Sequence, residues 1–194
     1  MKDDFSGGAP IKSNYTGVEG TPFLYNFERG DIFYSKKDTA TNMFIRFNAY
    51  EQVLEYLKGE DIWGLTPSQV KGFVVVENQE RAFYTSEFKL PNSDKPVFFK
   101  VHNLGEIGLL EYIEMKLVED PGSTYGSLTK KFSPFKVFFI LIDGDLIEFK
   151  HQKKYLKGIF NEKYSKVQEH MNSYNLNLKN ETDLKKLIDF INNS

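Results

Sequence analysis

From Thr21 to about Lys150 the chain runs as short apolar segments separated by turn residues, at the spacing expected of an all-β fold. These segments predict strands at Phe23–Tyr25, Asp31–Tyr34, Asn42–Ala49, Gln52–Lys58, Val70–Glu77, Arg81–Glu87, Val97–His102, Ile107–Val118, Lys136–Ile142 and Asp145–Lys150. Alternation is clearest in Ile113-Glu-Met115-Lys-Leu117, which gives a strand one apolar and one polar face. Pro91, Pro96, Pro121 and Pro134 are expected between strands, where a missing N–H breaks no ladder. Tyr50–Lys58 is ambiguous. Its composition suits a helix with Val53, Leu54 and Leu57 as a stripe, but it also reads as the return strand of a hairpin through Asn48–Glu51, the reading adopted here.

After Lys150 the period changes. Phe160, Tyr164, Val167, Met171 and Tyr174 recur at helical spacing and predict one apolar helix face. Asn180 or Thr182 is expected to cap a last helix lined by Leu184, Leu187, Ile188 and Ile191. Such short amphipathic helices are not stable alone, so they should dock on each other or on the sheet. The expected fold is mainly β, an antiparallel sheet, sandwich or partly open barrel, with two to three C-terminal α-helices. The expected organisation is a flexible leader over 1–20, a β domain over 21–150 and a helical cap over 151–194.

Composition narrows the function classes. The 194 residues hold no cysteine, which excludes disulfides, thiolate catalysis and cysteine–zinc sites. A net charge of −2 gives no electrostatic reason to expect a nucleic acid or anionic membrane partner. No apolar run reaches the roughly 18–20 residues of a transmembrane helix, the longest being Val137–Ile142. The segment MKDDFSGGAPIKSNYTG has no hydrophobic stretch of a signal peptide, and suits either a cytosolic start or a mature exported chain given a new methionine.

Candidate chemistry is sparse. The stretch FFILIDGDL, with Asp143 and Asp145, is similar to the strand-end hhhhDxDG signature of haloacid-dehalogenase-like phosphatases. That chemistry needs a nucleophilic aspartate facing a magnesium ion, with more acidic ligands downstream. Here no glycine follows Asp145, and Leu146, Ile147 and Phe149 resume an alternating strand. Asp-Gly between two apolar runs instead predicts a tight hairpin turn, because a type I′ turn needs positive φ at both central residues. His102, His151 and His170 lack the spacing of a metal pair and read as surface or satisfied histidines. Glu106, Glu111, Glu114, Glu119 and Asp120 include a conceivable acid–base couple but read as the wet face of a strand. Ser123, in PGSTYGS, lacks the flanking signature of a nucleophile or phosphate loop. Asn14–Thr16 and Asn180–Thr182 match the short N-glycosylation pattern, and HQKKYLKGIFNEKYSK reads as a solvated helix face. Phe23, Tyr25, Phe27, Phe33 and Tyr34 read as the edge of the core. The expectation is therefore no catalytic, cofactor-binding or metal-binding residue.

The order of segments resembles a group of exported proteins common in Bacteroidota. GTPFLYNFERGDIFY is similar to their GSPYLNxxFxxGxVY opening, and MFIRFNAYEQVLEY to their xPLRYNxYxDxxEF hairpin. VFFKVHNLGEIGLLEYIEMKLVE resembles xFEVLxxGxxxLLxxYxxxF. The ending from FFILIDGDL onward follows their hairpin, KKKDLLKLF segment and lysine-rich helix. The resemblance runs over roughly 19–194 and departs at Ser68–Glu87 and in the short 122–134 linker. It implies export with a signal peptide, residues 1–20 as a mature leader, and a place in the periplasm, on the outer membrane or outside. It supports the strand reading of Tyr50–Lys58 and implies no site residues. The expected function is a non-enzymatic envelope protein that docks on an envelope protein partner or an outer-membrane assembly. The alternatives are a lipid- or glycan-binding protein or hydrolase built on a partly open barrel, and a cytosolic protein.

Overall fold

Side chains that alternate across a strand demand a partner on their apolar side, and the chain meets that demand with antiparallel neighbours. The computed structural model describes residues 8–11, 15–34, 38–77, 79–120 and 129–194. The fold is mainly β with C-terminal helices. In chain order the strands are β1 (Ala9–Pro10), β2 (Val18–Glu19), β3 (Glu28–Phe33), β4 (Thr39–Asn48), β5 (Val53–Lys58) and β6 (Asp61–Leu65). They continue as β7 (Gly72–Glu77), β8 (Glu80–Thr85), β9 (Phe99–Leu104), β10 (Ile107–Asp120), β11 (Thr129–Ile142) and β12 (Asp145–Glu148). Helices α1 (Lys153–Phe160), α2 (Tyr164–Ser173) and α3 (Glu181–Asn192) follow, with a 3-10 turn at Asn161–Lys163 between the first two.

The chain forms two compact units, one of Met1–Lys100 with Tyr112–Lys136, the other of Val101–Glu111 with Val137–Ser194. Strands β9, β10 and β11 contribute residues to both, so the units divide within strands.

In the first unit the strand order is β1-β6-β5-β4-β3-β7-β8. Two pieces of the expected leader are paired: β1 with β6, and β2 in parallel with β11 at Lys130–Lys131. The core is aromatic. Phe73 stacks on Tyr84 at 4.5 Å with ring planes 10° apart, and Phe47 meets Phe98 edge-on at 5.5 Å. Offset and edge-on ring pairs of this kind add about 0.5–1.5 kcal/mol each beyond their buried area.

Tyr50–Lys58 resolves as a strand. β5 runs antiparallel to β4 from Asn48↔Val53 to Ile45↔Tyr56. Gln52, at φ 56, turns the chain, and its buried amide donates to the carbonyls of Ala49 and Ile113 and accepts from the Phe98 N–H. Three expectations need correction. Phe23–Tyr25 is not a strand: only Phe23 bridges to Asn48, because Pro22 cannot donate and the segment merely caps the end of β4. Asp61–Leu65 is a strand that sequence reading missed. Gly64 in its middle masks the pattern, and the space a side chain would need there is filled by Ile11 and Val53. Pro134 lies inside β11, not between strands.

In the second unit the strand order is β9-β10-β11-β12, and the helices cover the 101–111 and 137–148 segments. Ile107, Leu109 and Ile140 pack with Leu156, Val167, Leu184, Leu187 and Ile188. Asn180 caps α3 as expected, its side chain accepting from the N–H groups of Thr182 and Asp183. The expected single face over 160–174 is interrupted. Phe160 ends α1, Asn161 adopts φ 40, and Tyr174 lies beyond α2 with 69% of its surface exposed.

Candidate functional site

The hairpin turn between β11 and β12 settles the acidic pair of the sequence. Ile142 pairs with Asp145, and Asp143 and Gly144 sit at φ 51 and 89, the positive-φ pair of a type I′ turn. Asp143 and Asp145 reverse the backbone. They do not belong to any cluster with metal-ligand geometry among the described residues.

The second unit does bring together a constellation that the sequence spacing concealed. His102 on β9, Glu111 on β10 and Glu181 in the first turn of α3 offer ligand atoms that all lie within 4.8 Å of one another. His102 Nε2 is 2.9 Å from Glu111 Oε2, and Nδ1 is 3.7 Å from Glu181 Oε1. The His102 side chain is 6% exposed and that of Glu111 fully buried, whereas Glu181 is 43% exposed. Burying a carboxylate is costly unless it is paired, and the imidazole supplies that pairing. Phe138 tilts over the imidazole at 5.8 Å, shielding it further.

His102 Nε2 is nearest Glu111 and Nδ1 nearest Glu181, and because Nε2 is already in hydrogen-bond contact with Glu111 the buried carboxylate is paired by the imidazole itself. An imidazole donates from one nitrogen when neutral and from both when protonated. A neutral ring therefore donates to one of the two carboxylates, and only a doubly protonated ring addresses both. With the ring 6% exposed and Glu181 in the first turn of α3, the cluster is suited to joining α3 to the strands.

A second connection holds the other end of α3. Asn192 accepts from the Ile107 N–H at 2.8 Å and donates to the Ile107 carbonyl at 2.9 Å and to Asn103 Oδ1 at 3.1 Å. Asn103 in turn donates to Asp189 at 2.5 Å. Of the other candidates, Glu106 faces Lys163 and Glu114 faces Lys116, both as exposed ion pairs. His151 meets the Phe149 ring edge-on. Ser123 and Asn14 lie outside the described residues, as does the Asp120 side chain.

Burial also perturbs several phenols. Tyr25 is pushed well above the usual tyrosine range by burial and then by the charge of Glu77, and Tyr34 is raised by burial and by Tyr56. Burial, helped by Glu114, pushes Tyr112 up to about 12. A phenol kept neutral this way is a core group, not an acid poised for exchange.

No helix among the described residues is long and apolar enough to cross a membrane. No protein-family model, curated protein or solved structure matches the chain.

Proposed function

We propose that this chain is a non-enzymatic extracytoplasmic interaction module, an accessory subunit of an envelope or outer-membrane assembly. The observation that carries the reading is in the first unit. Strands β10 and β11 are 14 residues each, against a typical five or six. Leu117 and Val118 are consecutive on β10, so they point to opposite faces, yet they are 37% and 38% exposed. Phe135 on β11 is 43% exposed, with the Lys116 ammonium 3.6 Å from its ring centre. Lys116 and Val118 share one strand face, so an apolar patch with a basic border lies at this stretch of the two strands. Apolar side chains displayed on strands serve a partner's surface, and aromatic residues bordered by cations are the usual anchors of such contacts. The extracytoplasmic assignment rests on the sequence resemblance.

The test is a pull-down from native membranes with the tagged protein and a Val118→Asp/Phe135→Asp variant. An envelope protein enriched by the native chain and lost with the variant supports the proposal. Recovery of the chain alone, or a partner indifferent to both substitutions, removes it. The encoded sequence upstream of Lys2 tests the compartment separately.

A further inference from the structure

The second unit carries a groove of about 480 Å³ lined by His170, Tyr174, Leu176, Lys186, Asp189, Phe190 and Asn193. Its chemistry differs from the strand patch and from the buried histidine cluster. His170 lies flat on Phe190, ring centres 3.8 Å apart and planes 6° from parallel. Tyr174 stands next to that stack, 4.6 Å from His170 and tilted by 41°. The tyrosine follows the last residue of α2 with 69% of its surface in water, so folding leaves a broad aromatic ring uncovered. The stacked pair beneath is already ordered, which lowers the entropic cost of receiving a ligand.

The polar groups of the groove are also held in place. Asp189 accepts from Asn103 at 2.5 Å, and the Asn193 amide donates to the Asp189 carbonyl at 2.7 Å. Lys186 adds an ammonium on the same helix, its side chain 60% exposed. The Lys186 ammonium is already balanced by Asp183 at 3.4 Å and the Asp189 carboxylate is bonded by Asn103, so neither offers the unbalanced charge that a phosphate or a quaternary ammonium needs. The donors and acceptors equally disfavour an alkyl chain, whose burial would desolvate them without replacement. A ligand that fits must be uncharged, with a flat apolar face for the rings and a periphery of hydroxyls for Lys186, Asp189 and Asn193. A hexopyranose ring has that form, with C–H groups on one face and hydroxyls around the edge.

We propose that the groove formed by α2 and α3 is a binding site for a neutral saccharide, with Tyr174 stacking on a sugar ring and Asp189, Asn193 and Lys186 addressing its hydroxyls. The volume falls in the range of small-molecule sites and holds a short stretch of glycan. This inference is independent of the protein partner proposed for β10 and β11.

The experiment is an NMR titration of the full chain, isotopically labelled, with soluble oligosaccharides of glucose, mannose, xylose and N-acetylglucosamine. Phosphocholine, inorganic phosphate and a short fatty acid serve as competitors of other chemistry. The expected result is saturable shifts at His170, Tyr174, Phe190 and Asn193 with at least one saccharide. Tyr174→Ala should weaken that binding roughly two- to tenfold, the scale of one lost stacking contact. Tyr174→Phe should retain both the binding and the thermal midpoint, since it keeps the ring contact with His170 and removes only an exposed hydroxyl. The proposal is overturned if none of the saccharides shifts these resonances, if only a competitor does, or if Tyr174→Ala binds as the native chain does.

Discussion

The fully buried carboxylate of Glu55 lies 2.6 Å from the guanidinium of Arg46 on the neighbouring strand. The guanidinium is itself held between two rings, 3.6 Å above Phe23 and 4.4 Å from Phe27. Asn48 donates to the second Glu55 oxygen at 3.3 Å and to the Tyr15 hydroxyl at 3.0 Å. A planar cation suits this setting because it can stack on rings and bond a carboxylate at once. The N-terminal aromatics Phe23 and Phe27 therefore act as walls of an ion pair at the end of β4.

Removing one member of this pair leaves a buried charge, so Glu55→Ala or Arg46→Ala should cost about 3 kcal/mol. The combined Arg46→Met/Glu55→Leu change should recover most of the loss, since apolar groups of similar size need no partner. Urea unfolding of the three variants measures both effects. Equal stability of Glu55→Ala and the native chain would rule out the ion pair as a stabilising element.

The acidic turn supplies a sharper test. Asn-Gly suits a type I′ turn as well as Asp-Gly, so Asp143→Asn should leave stability within about 0.5 kcal/mol of native. Gly144→Val places a β-branched residue at φ 89 and should cost more than about 1 kcal/mol. Thermal unfolding of both variants, with and without added magnesium, decides the matter. A magnesium-dependent rise in the native midpoint that Asp143→Asn abolishes would contradict the turn reading.

How legible these features were depended on the range of the interaction that makes them. The Asp143-Gly144 turn and the Asn180 cap are local, because the residues that define them are neighbours in the chain. The β5 strand was legible only as an ambiguity, since Tyr50–Lys58 has the composition of a helix and the Gln52 bonds to Ile113 and Phe98 decide for a strand. The sequence reads Glu111 as a carboxylate on the wet face of a strand, which its complete burial corrects, reads His102 as a surface or satisfied histidine, and gives Glu181 no role. Nothing in their spacing signals the cluster, which exists only once α3 docks on β9 and β10. The Tyr174 groove was hidden for a related reason. The apolar period assigned Tyr174 to a buried helix face, while the break at Asn161 and the end of α2 at Ser173 turn its ring outward.

His102 should be the more sensitive member of its cluster. His102→Ala leaves Glu111 buried without the imidazole and should cost about 2–4 kcal/mol. Glu181→Gln, at an exposed position 3.7 Å from the ring, should cost less than about 1 kcal/mol. Zinc or a chelator should leave the native thermal midpoint unchanged, because the Glu111 carboxylate is already paired by direct contact with His102 Nε2 at 2.9 Å. A zinc-dependent rise that His102→Ala removes would show a metal site instead.

Alkaline pH should weaken the fold through its buried phenols. Tyr25, Tyr34 and Tyr112 are all held above the free tyrosine value, Tyr112 at about 12. Below about pH 10 both folded and unfolded chains keep these protons, and the phenols add no pH dependence. Above about pH 10 the unfolded chain releases them while the folded chain retains them, so stability falls as pH rises. The slope is about 1.4 kcal/mol per pH unit for each tyrosine still protonated in the fold. Urea midpoints measured at about pH 8 and about pH 11 should therefore separate, with ultraviolet absorbance reporting tyrosinate. Tyr112→Phe should shrink the difference, because one of the linked protons is then absent. Midpoints that coincide across this window would mean the phenols are exposed to solvent in the folded chain.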